Sequence, residues 1–171
     1  MKPKMIEAYM KVAENFADLS TAMRLHVGAI VVKEDRIISI GYNGMPSGWD
    51  NDCEDKVWMT QEEHLTIHPN KIDKMFPLHG QKLEGDYWVN GRYYLKSKPE
   101  VLHAETNAIA KLAKSTESGD GTVLFVTHSP CLDCAKLVYQ SGINSVFYRN
   151  SYRSEEGIQF LKKAGVKVGK V

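Results

Sequence analysis

The sequence predicts an α/β fold in which a five-stranded mixed sheet lies between helices, making three layers. Three observations point to it. Apolar residues recur every three or four positions from Met5 to Met23, as on one face of a helix. Two β-branched runs flank the polar stretch Lys33-Glu34-Asp35-Arg36, close enough to pair as a hairpin. Beyond residue 100, helical and strand patterns alternate, the order expected of parallel crossover units.

Taken in order, Met5, Tyr9, Val12, Phe16, Leu19 and Met23 define a first helix of about five turns. Val27 to Val32 and Ile37 to Tyr42 form the hairpin, whose second strand runs into the turn Gly41-Tyr42-Asn43-Gly44. From Met45 to about Glu100 the periodicity is lost, although Trp49, Trp58, Trp88, His64, His68 and His79 all fall there. This long insert is expected to be irregular and packed against the core or a neighbouring subunit. Regular patterns then resume as helix Ala104 to Lys114, strand Thr122 to Val126, helix Cys131 to Ser141, strand Ser145 to Tyr148, helix Glu155 to Ala164 and strand Val166 to Val168. Gly142 and Gly165 stand where helix C-caps belong.

At 171 residues, with 43% hydrophobic and 25% charged residues, residues 1–171 are expected to form one globular domain. The net charge of +1 provides no overall field for a polyanion, so no nucleic-acid partner is expected. No targeting sequence or apolar span of about 18 residues is visible, which predicts a cytoplasmic protein without membrane association. Cys53, Cys131 and Cys134 cannot all pair with one another, and a metal or redox use of the last two fits better than a disulfide scaffold.

Two segments carry chemistry: His103-Ala104-Glu105 and Pro130-Cys131-Leu132-Asp133-Cys134. A Cys-x-x-Cys at a helix start places two sulfurs one turn apart, where the helix N-terminus favours thiolates. Two thiolates and a neutral imidazole suit Zn²⁺, and three protein ligands leave a fourth tetrahedral position for water, as in a catalytic site. Glu105, two residues after the histidine, is placed to move a proton between that water and a leaving nitrogen. Rival readings are a thioredoxin-like dithiol, or a closed structural zinc completed by His128, Cys53 or a histidine of the insert. Cys53 reads as an inert buried thiol, or as a ligand of a second metal with His64, His68 or His79.

His-x-Glu followed by Pro-Cys-x-x-Cys matches the general signature of zinc-dependent nucleobase deaminases. The segments Val27-Gly28-Ala29-Ile30, Gly41 to Gly48, His103 to Ile109 and Ser129 to Lys136 together resemble the deoxycytidylate deaminases within that group. The likeness spans about residues 20 to 168 and includes the long insert. It implies a cytidine-deaminase-like fold and conversion of dCMP to dUMP and ammonia, which supplies the precursor of dTMP. By the same resemblance His103, Cys131 and Cys134 match the zinc ligands, Glu105 the proton shuttle and Asn43 a contact to the substrate sugar. Tyr152 matches a tyrosine near the nucleotide, and Ser20 lies where the segment before the first strand approaches the phosphate. The residues themselves leave the phosphate donors open among Ser20, Arg24, Tyr152 and Arg153.

The resemblance further implies a homohexamer activated by dCTP and inhibited by dTTP with Mg²⁺. The Gly41 to Gly48 turn offers backbone N–H groups for phosphates, and Lys111 and Lys114 lie one turn apart after Glu105, so Asn43, Gly44, Lys111 and Lys114 form the expected effector site. Some members hold a second, structural zinc; the positions of two of its ligands here read Ala22 and Val101. No site residue is assigned to the middle of the insert, roughly 55–98. The competing functions are deamination of a nucleoside, a free base or tRNA adenosine, and a non-enzymatic zinc-stabilised binding module.

Overall fold

A computed structural model describes residues 1–60, 62, 63, 66, 78–85 and 87–171 of the chain. Helix α1 (Pro3–Ala17) is followed by the hairpin β1 (Gly28–Lys33) and β2 (Arg36–Tyr42). Then come β3 (Glu54–Trp58), β4 (Leu78–Glu84) and β5 (Tyr87–Ser97). The rest alternates: α2 (Ala104–Leu112), β6 (Val123–His128), α3 (Leu132–Gln140), β7 (Ser145–Asn150), α4 (Glu156–Lys163) and β8 (Lys167–Lys170).

The main sheet has the order β2-β1-β6-β7-β8, with β1 antiparallel to both neighbours and β6, β7 and β8 parallel. This is the five-stranded mixed sheet read from the sequence. Because successive strand residues face opposite sides, β1 sends Ile30 and Val32 to one face and Ala29 and Val31 to the other. Ile30, Val32 and Phe125 pack with Tyr9, Met10 and Ala13 of α1. Ala29, Val31, Leu124 and Val126 pack with α2, α3 and α4 through Ala104, Ala108, Ala135, Val138 and Leu161. The hairpin turns through Glu34 and Asp35, both at positive φ, the pairing that a two-residue turn matched to strand twist requires. Gly142 and Gly165 adopt left-handed φ values of 84° and 82° just after α3 and α4, where the helices stop.

Two expectations need correction. The first helix ends at Ala17 rather than Met23, and Leu19 and Met23 are exposed. Ser20 closes a turn there, its N–H donating to the Ala17 carbonyl and its Oγ accepting from Ala22 N, and these local bonds compete with helix propagation. The insert is not irregular throughout: β3, β5 and β4 form an antiparallel three-stranded sheet in that order. Gly80 and Gly91 interrupt its strands and Tyr93 and Tyr94 stand side by side, so the sequence lacks the clean alternation that marks a strand.

Helix α2 is seated on β2 at very short range. Ser39 Oγ donates to the Ala108 carbonyl at 2.7 Å and Asn107 Nδ2 to the Tyr42 carbonyl at 2.9 Å. A Cβ on Gly41 would lie 2.1 Å from the Ala104 carbonyl oxygen and 2.6 Å from Ala108 N, so this seat exists only because residue 41 has no side chain. Gly41→Ala is expected to push α2 off β2. The variant should lose about 1–3 kcal/mol of stability, read as a lower urea midpoint.

Candidate active site

Two helix starts meet at the edge of the sheet. His103 is the extended residue preceding α2 and Cys131 the extended residue preceding α3, while Cys134 lies in the first turn of α3. The three donor atoms all lie within 4.8 Å of one another. His103 Nδ1 is 3.2 Å from Cys134 Sγ and 3.6 Å from Cys131 Sγ. A tetrahedral zinc with ordinary bond lengths needs N···S separations of about 3.6 Å, so one imidazole and two sulfurs fit the ion in type and spacing. Neither His128 nor Cys53 joins this group among the described residues. His103 is exposed, Cys131 half-buried and Cys134 buried, which leaves the group accessible from one side.

The sulfurs divide their protons unequally. The Cys134 thiol and then His103 hydrogen-bond to Cys131 and hold it down at about 4. The same bond to Cys131, together with burial, pushes the Cys134 thiol far up. His103 is raised, chiefly by its bond to Cys131. Glu105, in the first turn of α2, is 4% exposed, and burial pushes its carboxyl up to about 7 against the lowering influence of His103.

Glu105, His103 and Cys131 open onto a cavity of about 900 Å³. Asn43, Ser129, Tyr152 and His128 also line it, the last with its pKa lowered by burial. Arg24, Lys96 and Arg153 bring positive charge to the wall, whereas the Lys98 ammonium there is paired with Asp52 at 3.2 Å.

Residues 3–150 match the family described as the cytidine and deoxycytidylate deaminase zinc-binding region. The chain belongs to this family. The deoxycytidylate deaminase of phage T4 is 35% identical over 156 residues, covering 83% of this chain and 77% of that protein. The human deoxycytidylate deaminase is 34% identical over 145 residues, 83% of this chain and 62% of its own length. The crystal structure of the dCMP deaminase of cyanophage S-TIM5 in complex with dCMP and dUMP superposes with a TM-score of 0.74 at 42% identity, covering 100% of this chain and 99% of that one.

Within this deaminase fold the sequence-derived residues divide into two groups. Asn43 and Tyr152 line the cavity. The Asn43 side chain also clamps the segment before β1: Oδ1 accepts from Val27 N at 2.7 Å and Nδ2 donates to the Leu25 carbonyl at 2.8 Å. Tyr152 N donates to Ser129 Oγ at 2.7 Å, and the Arg153 guanidinium lies 5.8 Å from the Tyr152 ring centre. Ser20 is 6% exposed and does not line the cavity; the early α1 terminus turns it inward, and Arg24 reaches the wall instead.

Gly44 is buried, and its N–H donates to the Leu102 carbonyl, as that of Asn43 does to Val27. The turn therefore does not present these two N–H groups to a phosphate. Lys111 extends over the Tyr42 ring at 5.5 Å with its pKa lowered by burial, and Lys114 is exposed just past the end of α2. Ala22 and Val101 both line the cavity. Cys53 is buried against Thr21, whose Oγ1 is 3.5 Å from its Sγ. Of its considered partners, His79 forms no metal-binding group with it among the described residues, and His64 and His68 lie outside those residues.

Sequence reasoning left the insert without site residues, yet Glu54, Lys96, Ser97 and Lys98 all line the cavity. No local pattern marks them in the sequence, because they reach the cavity only through the pairing of β3 with β5.

Zinc capture by the metal-free protein must expel the Cys134 proton. The affinity is therefore expected to rise at least about tenfold per pH unit between about pH 6 and 8, and more steeply wherever His103, itself raised, is still protonated. Competition against a chromophoric chelator would measure this, and a pH-independent affinity would contradict the proton assignment.

Proposed function

We propose that this chain is a single-domain enzyme that deaminates dCMP to dUMP and ammonia. The observation that carries the proposal is one cavity holding Glu105, two of the three zinc-matched residues and the cations Arg24, Lys96 and Arg153. A nucleoside or a free base carries no phosphate for these cations to meet. The T4 and human relatives named as deoxycytidylate deaminases support the same reading.

His103, Cys131 and Cys134 would hold zinc, which when bound acts as a Lewis acid and lowers the pKa of water to about 7. Glu105 takes a proton from water as its oxygen adds to cytosine C4 and passes it to N3, whose double bond to C4 opens. It then carries the proton of the new C4 hydroxyl to the 4-amino nitrogen, so that the C4–N bond breaks, the C4 carbonyl forms and ammonia leaves. A carboxyl pushed up to about 7 by burial can both accept and donate near neutral pH. Asn43 faces the sugar while its clamp on Leu25 and Val27 fixes that wall. Arg24, Tyr152 and Arg153 supply donors for the 5′-phosphate, and Ser129 holds the Tyr152 main chain in place.

The finer parts of the reading follow from the family resemblance. The product supplies the dTMP precursor, the enzyme works in the cytoplasm, and it is a homohexamer activated by dCTP and inhibited by dTTP with Mg²⁺. No helix among the described residues is long and apolar enough to cross a membrane. Exposed Trp49, Leu137 and Tyr139 offer apolar surface for subunit contacts. Effector phosphates would rely on Lys111 and Lys114, because the Asn43 and Gly44 N–H groups are already used.

Glu105→Gln is expected to lower dCMP turnover by about 10²-fold or more while zinc content and unfolding midpoint persist. Ammonia release from dCMP, deoxycytidine, CMP and dCTP in parallel tests the substrate, and equal turnover of deoxycytidine and dCMP would refute the phosphate reading. Lys114→Ala is expected to abolish inhibition by dTTP with Mg²⁺ while turnover in its absence persists; undiminished inhibition would remove Lys114 from the effector site.

A further inference from the structure

The segment between α1 and β1 carries Arg24 to the cavity, and a single rung of the insert sheet grips it. Glu54 on β3 and Ser97 on β5 are directly paired across the two strands. The Glu54 carboxylate, 5% exposed, accepts from the main-chain N–H of Met23 at 3.1 Å and of Arg24 at 3.2 Å. On the opposite strand, Ser97 Oγ accepts from Arg24 Nη1 at 3.4 Å. The next rung is locked by Lys98 N donating to the Cys53 carbonyl at 3.0 Å. Arg24 is thus held at its main chain by one residue of the pair and at its guanidinium by the other.

Arg24 Nε is buried and has no hydrogen-bond partner, the one such side-chain atom among the described residues. A buried donor left unmet costs more than the bond it could make is worth, so an N–H held in this state is poised for an acceptor that arrives with a ligand. The carboxylate of Glu54 is spent on the main-chain N–H groups of Met23 and Arg24 rather than on the guanidinium.

We propose that Glu54 is a positioning residue for recognition of the substrate's 5′-phosphate, fixing the Met23–Arg24 main chain so that the Arg24 guanidinium faces the cavity. The inference rests on the monophosphate reading above. It gives the insert a function in specificity: its sheet holds the residue that distinguishes a nucleotide from a nucleoside. Ser97 assists by holding one guanidinium nitrogen.

The test compares zinc-loaded wild type with Glu54→Gln, Ser97→Ala, Arg24→Ala and the Glu54→Gln/Arg24→Ala double variant. The readouts are KM and kcat for dCMP and competitive inhibition by dUMP and by deoxyuridine, which lacks the phosphate. Glu54→Gln nearly preserves shape but replaces one acceptor oxygen by an NH₂ group that repels the main-chain N–H. It is expected to raise KM for dCMP and the inhibition constant of dUMP by about tenfold, leaving kcat and inhibition by deoxyuridine within about twofold. Ser97→Ala, an exposed site that should fold normally, is expected to shift the same two constants by about two- to fivefold. The double variant should be no worse than Arg24→Ala, since Glu54 acts through Arg24.

If Glu54→Gln and Ser97→Ala leave dUMP binding unchanged while Arg24→Ala weakens it, the positioning role is overturned and the phosphate reading stands. If Arg24→Ala leaves dUMP and deoxyuridine equally affected, the phosphate reading fails and the inference fails with it. Equal losses for dUMP and deoxyuridine in Glu54→Gln, or additive losses in the double variant, would assign Glu54 a general structural role instead.

Discussion

Everything at this site depends on two helices beginning within one bond network of each other. His103 and Cys131 precede α2 and α3 in extended conformation, and their donor atoms stand 3.6 Å apart, with Cys134 3.2 Å from the same ring nitrogen. Such a separation tolerates shifts of only a few tenths of an ångström if one ion is to reach all three. The sheet supplies that precision. Both helices pack on the same face of β1 and β6 through alanines, Ala104, Ala108 and Ala135, whose small side chains allow close approach. On the other face α1 is braced by Arg149 of β7, which reaches both Glu7 and Glu14 at 2.9 Å. These pairs are half-exposed, so their role is to set the seat of α1 more than to add stability.

Burial at this junction also sorts the protons. Two ordinary thiols and a carboxyl become a low-pKa sulfur, a high-pKa sulfur and an acid near 7 because they share one desolvated corner. The differences arise from hydrogen bonding between Cys131 and Cys134 and from the burial of Glu105. No distant charge is needed. Placing Glu105 two residues after His103 on the same helix start ties the carboxyl to the ligand nitrogen, so movement of α2 would carry both together.

What was legible in the sequence shared one property: it is determined locally. His103, Glu105, Cys131 and Cys134 belong to short motifs with fixed spacing at helix starts, and the strand-helix alternation after residue 100 sets the parallel half of the sheet. What was illegible depends on distant pairing. Arg24, Glu54 and Ser97 become neighbours only when β3 pairs with β5 and the pair docks on the segment before β1. Ser20 shows the converse, since it is turned inward where the helix stops at Ala17 although the apolar spacing continues to Met23. The turn after β2 misled in the same way, because a backbone bridge between Gly44 and Leu102 uses the N–H that a sequence reading leaves free.

The cavity is walled on one side by the main sheet's loops and on another by the small antiparallel sheet, and the two sheets are separate. A molecule that fills a space between two independently hydrogen-bonded units acts as mortar between them. By mass action, its binding free energy is added to the work of pulling the small sheet away. Amide protons of β3 and β5 would then exchange more slowly as ligand concentration rises, while those of β6 and β7, inside the permanent core, would hardly notice. The insert would thus be the part of the molecule that gains most in stability when the cavity is filled.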